Sequence, residues 1–112
     1  MTSEFAIEAF GALAQSSRMA IYRLLVSVGP EGLTATEISK RLEVVPSTLS
    51  GHLGILKRAQ LLRATRKSRE IHYAADLGAM NRLISFMLSD CCGGQVENCL
   101  EILNLLGDCQ NT

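Results

Sequence analysis

The fold is decided by residues 34–56, which read Thr34-Ala-Thr-Glu-Ile-Ser-Lys-Arg-Leu-Glu-Val-Val-Pro-Ser-Thr-Leu-Ser-Gly-His-Leu-Gly-Ile-Leu56. Thr34 and Glu37 stand at the spacing of a capping box, which predicts a short helix ending near Leu42. Pro46 suits the first position of a second helix, where its missing N–H is not needed, and that helix should run to about Gln60. The stretch therefore predicts two short helices joined by a turn of three residues.

The second of these helices has two different faces. Counted at 100° per residue, its inner stripe is Leu49, Leu53 and Leu56. The opposite face is small, polar and basic, and consists of Ser47, Ser50, Gly51, Gly54 and Arg58, with Thr48 at its edge. A glycine inside a helix costs about 1 kcal/mol relative to alanine, so close approach to another surface is one reason for the two glycines. The pattern is typical of a helix-turn-helix whose second helix reads a DNA groove, and a merely solvated face is the alternative.

A basic segment follows the helix pair. Leu61-Leu-Arg-Ala-Thr65 and Ile71-His-Tyr-Ala74 alternate in polarity around Arg66-Lys-Ser-Arg69, which predicts a β-hairpin with a cationic tip. Residues 46–73 carry six basic side chains against Glu70 alone, a charge of +5, although the whole chain has a net charge of zero. Such a tip can hold phosphates or enter a minor groove, and it favours DNA contact over simple solvation.

Four further helices are predicted from apolar periodicity and capping residues. They are a first helix over about 4–14 opened by Ser3, a second over about 18–28, a fifth capped by Asp76 and reaching about Leu88, and a last one over about 96–106. The predicted fold is therefore mainly α with a small β-hairpin wing (α+β), a winged helix-turn-helix. The first, fifth and last helices carry more apolar surface than a small domain buries, so we expect a homodimer through the first and C-terminal helices.

Composition places the chain in a broad class. At 112 residues it is long enough for one domain, 1–112, and 47% hydrophobic with 4% aromatic residues favours a helical core. The N-terminus has no basic signal-peptide start, and no apolar run is long enough to cross a bilayer. We therefore expect a cytoplasmic protein with no membrane association.

All four cysteines lie between residues 91 and 109. Cytosolic thiols stay reduced, so such a cluster can capture a soft ion, sense oxidation or simply fill a core. Cys109 lies ten positions beyond Cys99 and is left out of the predicted site. The predicted sensing segment spans about 89–109.

The chain resembles the winged-helix repressors of the arsenical-resistance (ArsR) family. The resemblance rests on Leu13-Ala-Gln-Ser-Ser-Arg-Met-Ala-Ile-Tyr-Arg-Leu-Leu25, on Ile38-Ser-Lys-Arg-Leu42, on Pro46-Ser-Thr-Leu-Ser-Gly-His-Leu-Gly-Ile-Leu56 and on the wing from Gln60 to Tyr73. It implies a dimeric repressor that leaves its inverted-repeat DNA operator when a soft metal or metalloid binds. The DNA-contacting residues implied by position are Ser47, Thr48, Ser50, Gly51, His52, Arg66, Lys67 and Arg69, to which the outer face of the helix adds Arg58. His52 lies near the core edge, so packing or phosphate contact is its expected role.

The cysteines indicate which effector the resemblance implies. Two familiar sites of the family are absent, because no Cys-x-Cys precedes Pro46 and the fifth helix has no histidine. Some arsenite sensors of the family have an adjacent Cys pair with a third Cys nearby, and Cys91, Cys92 and Cys99 are similar. Trivalent arsenic or antimony is soft and pyramidal, so three thiolates satisfy it. No organic cofactor is expected.

Three alternatives to an arsenite-responsive repressor stay open. A redox-sensing repressor would use the same cysteines, with Cys99 as the resolving thiol. A repressor that responds to cadmium or zinc would also use thiolate ligands. A thiol enzyme has little support, because no His, Asp or Lys constellation accompanies the cysteines in the sequence. We therefore expect a regulator of arsenic resistance genes and not an enzyme.

Overall fold

The computed structural model describes residues 2–89, which form five helices and three short strands. In chain order the elements are α1 (Ser3–Leu13), α2 (Ser16–Val28), β1 (Leu33–Thr34), α3 (Ala35–Leu42), α4 (Pro46–Arg58), β2 (Leu62–Lys67), β3 (Glu70–Ala75) and α5 (Leu77–Met87). This architecture confirms the predicted mainly α fold with a β-hairpin wing. The predicted cysteine site (Cys91, Cys92 and Cys99) and the predicted last helix lie outside the described residues.

The first two helices begin earlier than the sequence pattern predicted. Helix α1 includes Ser3, and Thr2 caps it, its hydroxyl accepting a hydrogen bond of 3.3 Å from an amide N–H of the first turn. Helix α2 begins at Ser16 because the side chain of Gln15 accepts a hydrogen bond of 2.8 Å from the N–H of Arg18. Glutamine is not a preferred capping residue, so the sequence pointed to the serines after it.

Arg18 ties the second helix back to the end of the first. Its Nε donates a hydrogen bond of 2.6 Å to the carbonyl of Ala12, and a terminal guanidinium nitrogen lies 3.5 Å from the carbonyl of Gly11. The last turn of a helix leaves C=O groups without the usual intrahelical partner, although the Gly11 carbonyl also accepts the N–H of Ala14 at 3.2 Å. The guanidinium therefore fixes the sharp connection between α1 and α2.

The helix pair forms as the capping signals predicted. Thr34 donates its N–H to the carboxylate of Glu37 at 3.0 Å, and the N–H of Glu37 donates to the Thr34 hydroxyl at 3.2 Å. The backbone and hydroxyl hydrogen bonds from Thr34 hold the pKa of Glu37 below its ordinary value. Glu43 adopts a left-handed conformation (φ 55°) that turns the chain toward Pro46, the first residue of α4. The helix ends two residues before the predicted Gln60, whose own φ of 65° is not helical.

The wing is an antiparallel hairpin with a shorter tip than predicted. Strand β2 continues through Lys67 and strand β3 begins at Glu70, and these two residues are paired. Only Ser68 and Arg69 form the turn, with Ser68 in the left-handed region at φ 58°. Two residues that were predicted for the tip, Arg66 and Lys67, therefore belong to a strand.

A third strand was not predicted. Strand β1 pairs with β3 in the order β1-β3-β2, with Leu33 opposite Tyr73. Gly32, at φ 72°, allows this approach, because a Cβ there would collide with the carbonyl group of Tyr73. Strand β1 ends at Thr34, which is also the capping residue of α3.

One hydrophobic cluster joins all five helices to the sheet. Its most deeply buried large side chains are Ile21, Leu25, Ile38, Leu49, Leu56, Leu61 and Leu83. Asp76 caps α5 by accepting a hydrogen bond of 3.0 Å from the N–H of Ala79, as predicted. Within residues 2–89 no helix has the length and apolar character needed to span a membrane.

Candidate nucleic-acid interface

Helix α4 separates a buried stripe from an exposed polar face. Leu49, Leu53 and Leu56 are at most 3% exposed, as the helical count predicted. Five residues of this helix that were predicted to contact DNA are exposed to solvent, namely Ser47, Thr48, Ser50, Gly51 and Arg58. The buried stripe fixes the rotation of the helix, and the hydroxyl groups are therefore free to donate to base edges or phosphates.

The two glycines of α4 have different surroundings. A Cβ at Gly51 would have nothing within 4 Å, and a Cβ at Gly54 would lie 3.5 Å from a guanidinium nitrogen of Arg58, an ordinary contact. Packing within the described residues therefore does not require glycine at either position. Because glycine weakens a helix interior by about 1 kcal/mol, the reason for Gly51 in particular lies outside the packing of residues 2–89.

His52 lies at the edge of the buried stripe, as the helical count placed it. Its side chain is half-buried, between the buried Leu53 and the exposed Gly51. This position suits packing or a phosphate contact better than reading of base edges. Arg58, the last residue of α4, is exposed and belongs to the basic residues of the last turn.

The wing presents its cations around the hairpin turn. Arg66, Lys67 and Arg69 are all exposed. The ammonium group of Lys67 lies 3.4 Å from the carbonyl oxygen of Glu31, in the loop between α2 and β1. Lys67 thus links the wing to that loop, while the guanidinium groups of the two arginines make no hydrogen bond or ion pair within the described residues.

The basic segment keeps its charge at the surface. Its six cations are all exposed: Lys57, Arg58, Arg63, Arg66, Lys67 and Arg69. Glu70 is the single acidic residue of the segment, and its carboxylate lies 3.8 Å from Nε2 of His72. A surface excess of positive charge attracts phosphates and makes binding depend on salt concentration.

Two exposed cations outside the predicted set stand in the last turn of α3, namely Lys40 and Arg41. The sequence signal for them was their position just before the turn of the helix pair. Both residues precede residue 46 and so lie outside the basic segment of residues 46–73. They add positive charge to the helix pair itself.

The predicted metal site cannot be placed against this interface, because its cysteines lie beyond residue 89. Between residues 2 and 89, no group of three or more His, Cys, Asp or Glu side chains could hold a metal ion. The described part of the chain therefore contains the DNA-binding candidates and not the thiol ligands.

The central part of the chain is similar to a known protein family. The family described as "Helix-turn-helix domain" matches residues 13–65. Over these residues the chain is similar to that family. The match runs from the last residue of α1 into β2, so the matched region includes the α3–α4 pair described above.

Proteins similar to this chain are winged helix-turn-helix regulators. An HTH-type transcriptional regulator of Bacillus subtilis, YbzH, is 29% identical, covering 75% of this chain and 96% of its own. HlyU from Vibrio cholerae is 27% identical, with a TM-score of 0.63 over 80% of this chain and 95% of its own, and its reduced form is also among the similar structures.

Two more distant structures share the fold. An ArsR-like transcriptional regulator from Rhodococcus is 23% identical, with a TM-score of 0.69 and 92% of both chains covered. A domain of Mb0332 from Mycobacterium bovis, described as homodimeric, winged and DNA-binding, is 21% identical, with a TM-score of 0.61, covering 78% of this chain and 81% of its own. The helix-turn-helix domain described here is thus set in a fold of the ArsR and HlyU type.

Proposed function

We propose that this protein is a homodimeric transcriptional repressor of the ArsR type, which leaves its DNA operator when trivalent arsenic binds Cys91, Cys92 and Cys99. The observation that carries the DNA-binding part is the exposed face of α4, where small hydroxyl residues and glycine stand opposite a fully buried leucine stripe. Exposed cations of the wing supply attraction to phosphates. A regulator of this kind acts in the cytoplasm, and it needs no enzymatic activity.

The dimer brings two copies of α4 to one operator. In proteins that read DNA as symmetric dimers, the reading helices enter major grooves about 34 Å apart, and the operator is an inverted repeat. Apolar side chains are exposed on α1 and α5, including Ile7 (71% exposed), Phe5, Phe10 and Met87. A second copy would cover them, and the homodimeric description of the Mb0332 domain supports this arrangement.

The effector part rests on cysteine chemistry. Cys91 and Cys92 are adjacent in the sequence and are followed by Gly93 and Gly94. Consecutive residues of any chain are about 3.8 Å apart at Cα, and glycine permits turns that other residues do not, so this sequence would allow both sulfurs to face one centre. Together with Cys99 they offer three thiolates, which satisfy a pyramidal As(III) or Sb(III) ion. Binding would shift the dimer to a form in which the two reading helices no longer match successive grooves.

A redox-sensing repressor is the second candidate. It shares the DNA-binding half and uses the same cysteines, with Cys91 or Cys92 forming a disulfide with Cys99 on oxidation. The similarity to HlyU, which has been solved in a reduced form, is the observation that favours it. Cadmium or zinc as effector is a third possibility within the same thiolate site.

DNA reading is tested with a duplex selected from a randomised library of about 30 base pairs, the length of about three helical turns. The double variant Ser47→Ala/Ser50→Ala should bind the selected duplex about tenfold more weakly, because it has no hydroxyl groups at these positions to donate to bases or phosphates. Ser27→Ala is the matched control, since Ser27 is an exposed serine of α2 whose hydroxyl donates to the carbonyl of Leu24. Equally weakened binding in both variants would contradict the assignment of α4 as the reading helix.

Coupling is tested through arsenite affinity. If arsenite weakens DNA binding by a given factor, DNA must weaken arsenite binding by the same factor. Arsenite affinity is measured by calorimetry with and without the selected duplex. Identical affinities in the two titrations would remove the allosteric account while leaving DNA binding intact.

A further inference from the structure

A cavity of about 140 Å³ lies where α1, the end of α4 and α5 meet. Three alanines line it, one from each of these places: Ala9, Ala59 and Ala79, all at most 5% exposed. Larger aliphatic side chains at these positions would fill the space. Phe5, at the cavity edge, is 43% exposed in the single chain, so the cavity opens at the face proposed for the dimer.

The lining of the cavity carries a single charge, which is positive. Arg82 is the single charged residue of the lining, and the side chain of Gln60 is the other polar group. Arg82 makes no ion pair within residues 2–89. Asp76 lies near Arg82, because a Cβ at Gly78 would be 3.3 Å from its carboxylate oxygen and 3.4 Å from a guanidinium nitrogen of Arg82. That carboxylate accepts the N–H of Ala79 and makes no ion pair with Arg82. A guanidinium with no ion-pair partner among residues 2–89, placed beside an apolar cavity, suits an anionic group.

We infer that this cavity binds a small carboxylic acid with a compact apolar body, of about the size of benzoate. The apolar part would contact the alanines and Phe5, and the carboxylate would accept hydrogen bonds from Arg82. The size agrees with this class, because an apolar cavity of about 150 Å³ holds a benzene ring. The mostly apolar lining with few convergent polar groups is typical of small-molecule sites.

The cavity is connected to the elements that the proposed function uses. Ala59 and Gln60 directly follow the last turn of α4, and Phe5 and Arg82 belong to the helices proposed for the dimer. A bound acid would therefore contact both the end of the reading helix and the dimer helices. The resulting change in DNA affinity rests on the proposed function, whereas binding of the acid does not.

The experiment is calorimetric titration of the full chain with sodium benzoate and with benzyl alcohol, its neutral analogue. Benzoate should bind saturably at one molecule per chain, and benzyl alcohol about tenfold more weakly, because it cannot accept a charge-assisted hydrogen bond pair from Arg82. Arg82→Gln should bring benzoate to the affinity of the alcohol. Arg23→Gln, at an exposed arginine of α2 away from the cavity, should leave benzoate binding unchanged.

A second variant, Ala79→Val, fills the cavity. It should abolish binding of both compounds while circular dichroism shows an unchanged helical spectrum. No saturable benzoate binding up to about 10 mM would overturn the inference. Benzoate binding unaffected by Arg82→Gln would overturn it as well.

The effect of benzoate on DNA binding is measured in a separate experiment. Saturating benzoate should change the affinity for the selected duplex by at least about threefold. An unchanged affinity would overturn the regulatory consequence alone. Failure of the chain to bind any duplex would instead contradict the proposed function, and the benzoate titration would still decide the cavity.

Discussion

Replacing Gly51 with alanine should stabilise the fold and weaken DNA binding at the same time. A Cβ at this position would meet nothing within 4 Å among residues 2–89, so the added methyl group clashes with no part of the chain that the structure describes. Alanine is favoured over glycine in a helix interior by about 1 kcal/mol, and Gly51 lies in the middle of α4. The free energy of unfolding should therefore rise by about 1 kcal/mol. DNA affinity should fall by about tenfold, because the methyl group would occupy space where the backbone approaches the groove.

The assay pairs two measurements on each variant. Urea unfolding followed by circular dichroism gives the stability, and fluorescence anisotropy with the selected duplex gives the affinity. Gly51→Gln, a larger side chain with good helix propensity, should retain the stability and bind DNA more weakly still. Gly11→Ala is the control, because Gly11 is an exposed glycine of α1 whose Cβ would also meet nothing within 4 Å. A Gly51→Ala variant that binds DNA as tightly as the parent would refute the assignment of this face to the groove.

Three further predictions concern the wing, the buried Tyr22 and the connection between α1 and α2. Arg66→Ala/Arg69→Ala should reduce the slope of log affinity against log salt by about 0.9 for each phosphate that the wing no longer neutralises, measured by anisotropy across a salt series, and an unchanged slope would contradict a role of the wing in DNA binding. Burial, together with the charge of Asp76, raises the pKa of Tyr22 from 10.0 to about 12. Tyr22 therefore ionises at a lower pH in the unfolded chain than in the folded protein. The difference contributes about 2–3 kcal/mol to the free energy of unfolding below pH 10, and this contribution is lost as the pH rises through the folded-state pKa. The Tyr22→Phe variant should lack that alkaline destabilisation in urea unfolding, and should be at least as stable as the parent at pH 7, because the Tyr22 hydroxyl has no hydrogen-bond partner within residues 2–89. Arg18→Gln should lower the free energy of unfolding by about 1–2 kcal/mol, since the variant cannot make the hydrogen bond to the Ala12 carbonyl, and urea unfolding of the two proteins would show whether it does.

Local signals explain why the helix pair could be predicted. The capping box at Thr34 and Glu37 and the proline at position 46 act within one helical turn, so the sequence alone specifies them. The rotation of α4 follows from the spacing of its three leucines in the same way. The exposed reading face was therefore predictable without knowledge of the tertiary structure.

Contacts between distant parts of the chain explain what the sequence did not reveal. Strand β1 has two residues, too few to show alternation, and it exists because it pairs with Tyr73 and His72 of the hairpin. The hydrogen bond between Lys67 and the Glu31 carbonyl joins residues 36 positions apart. The left-handed conformation of Gln60 that ends α4 carries no common sequence signal, because glycine or asparagine is usual there.

The central claim is that arsenite acts through Cys91, Cys92 and Cys99 to release DNA. The most direct measurement is the anisotropy of the labelled duplex bound to the protein, titrated with arsenite, antimonite, cadmium, zinc and peroxide. The parent and the single variants Cys91→Ser, Cys92→Ser, Cys99→Ser and Cys109→Ser are compared. We expect arsenite to release DNA from the parent and from Cys109→Ser, and to release none from the other three. Release by peroxide without release by arsenite would contradict the account and establish the redox repressor instead.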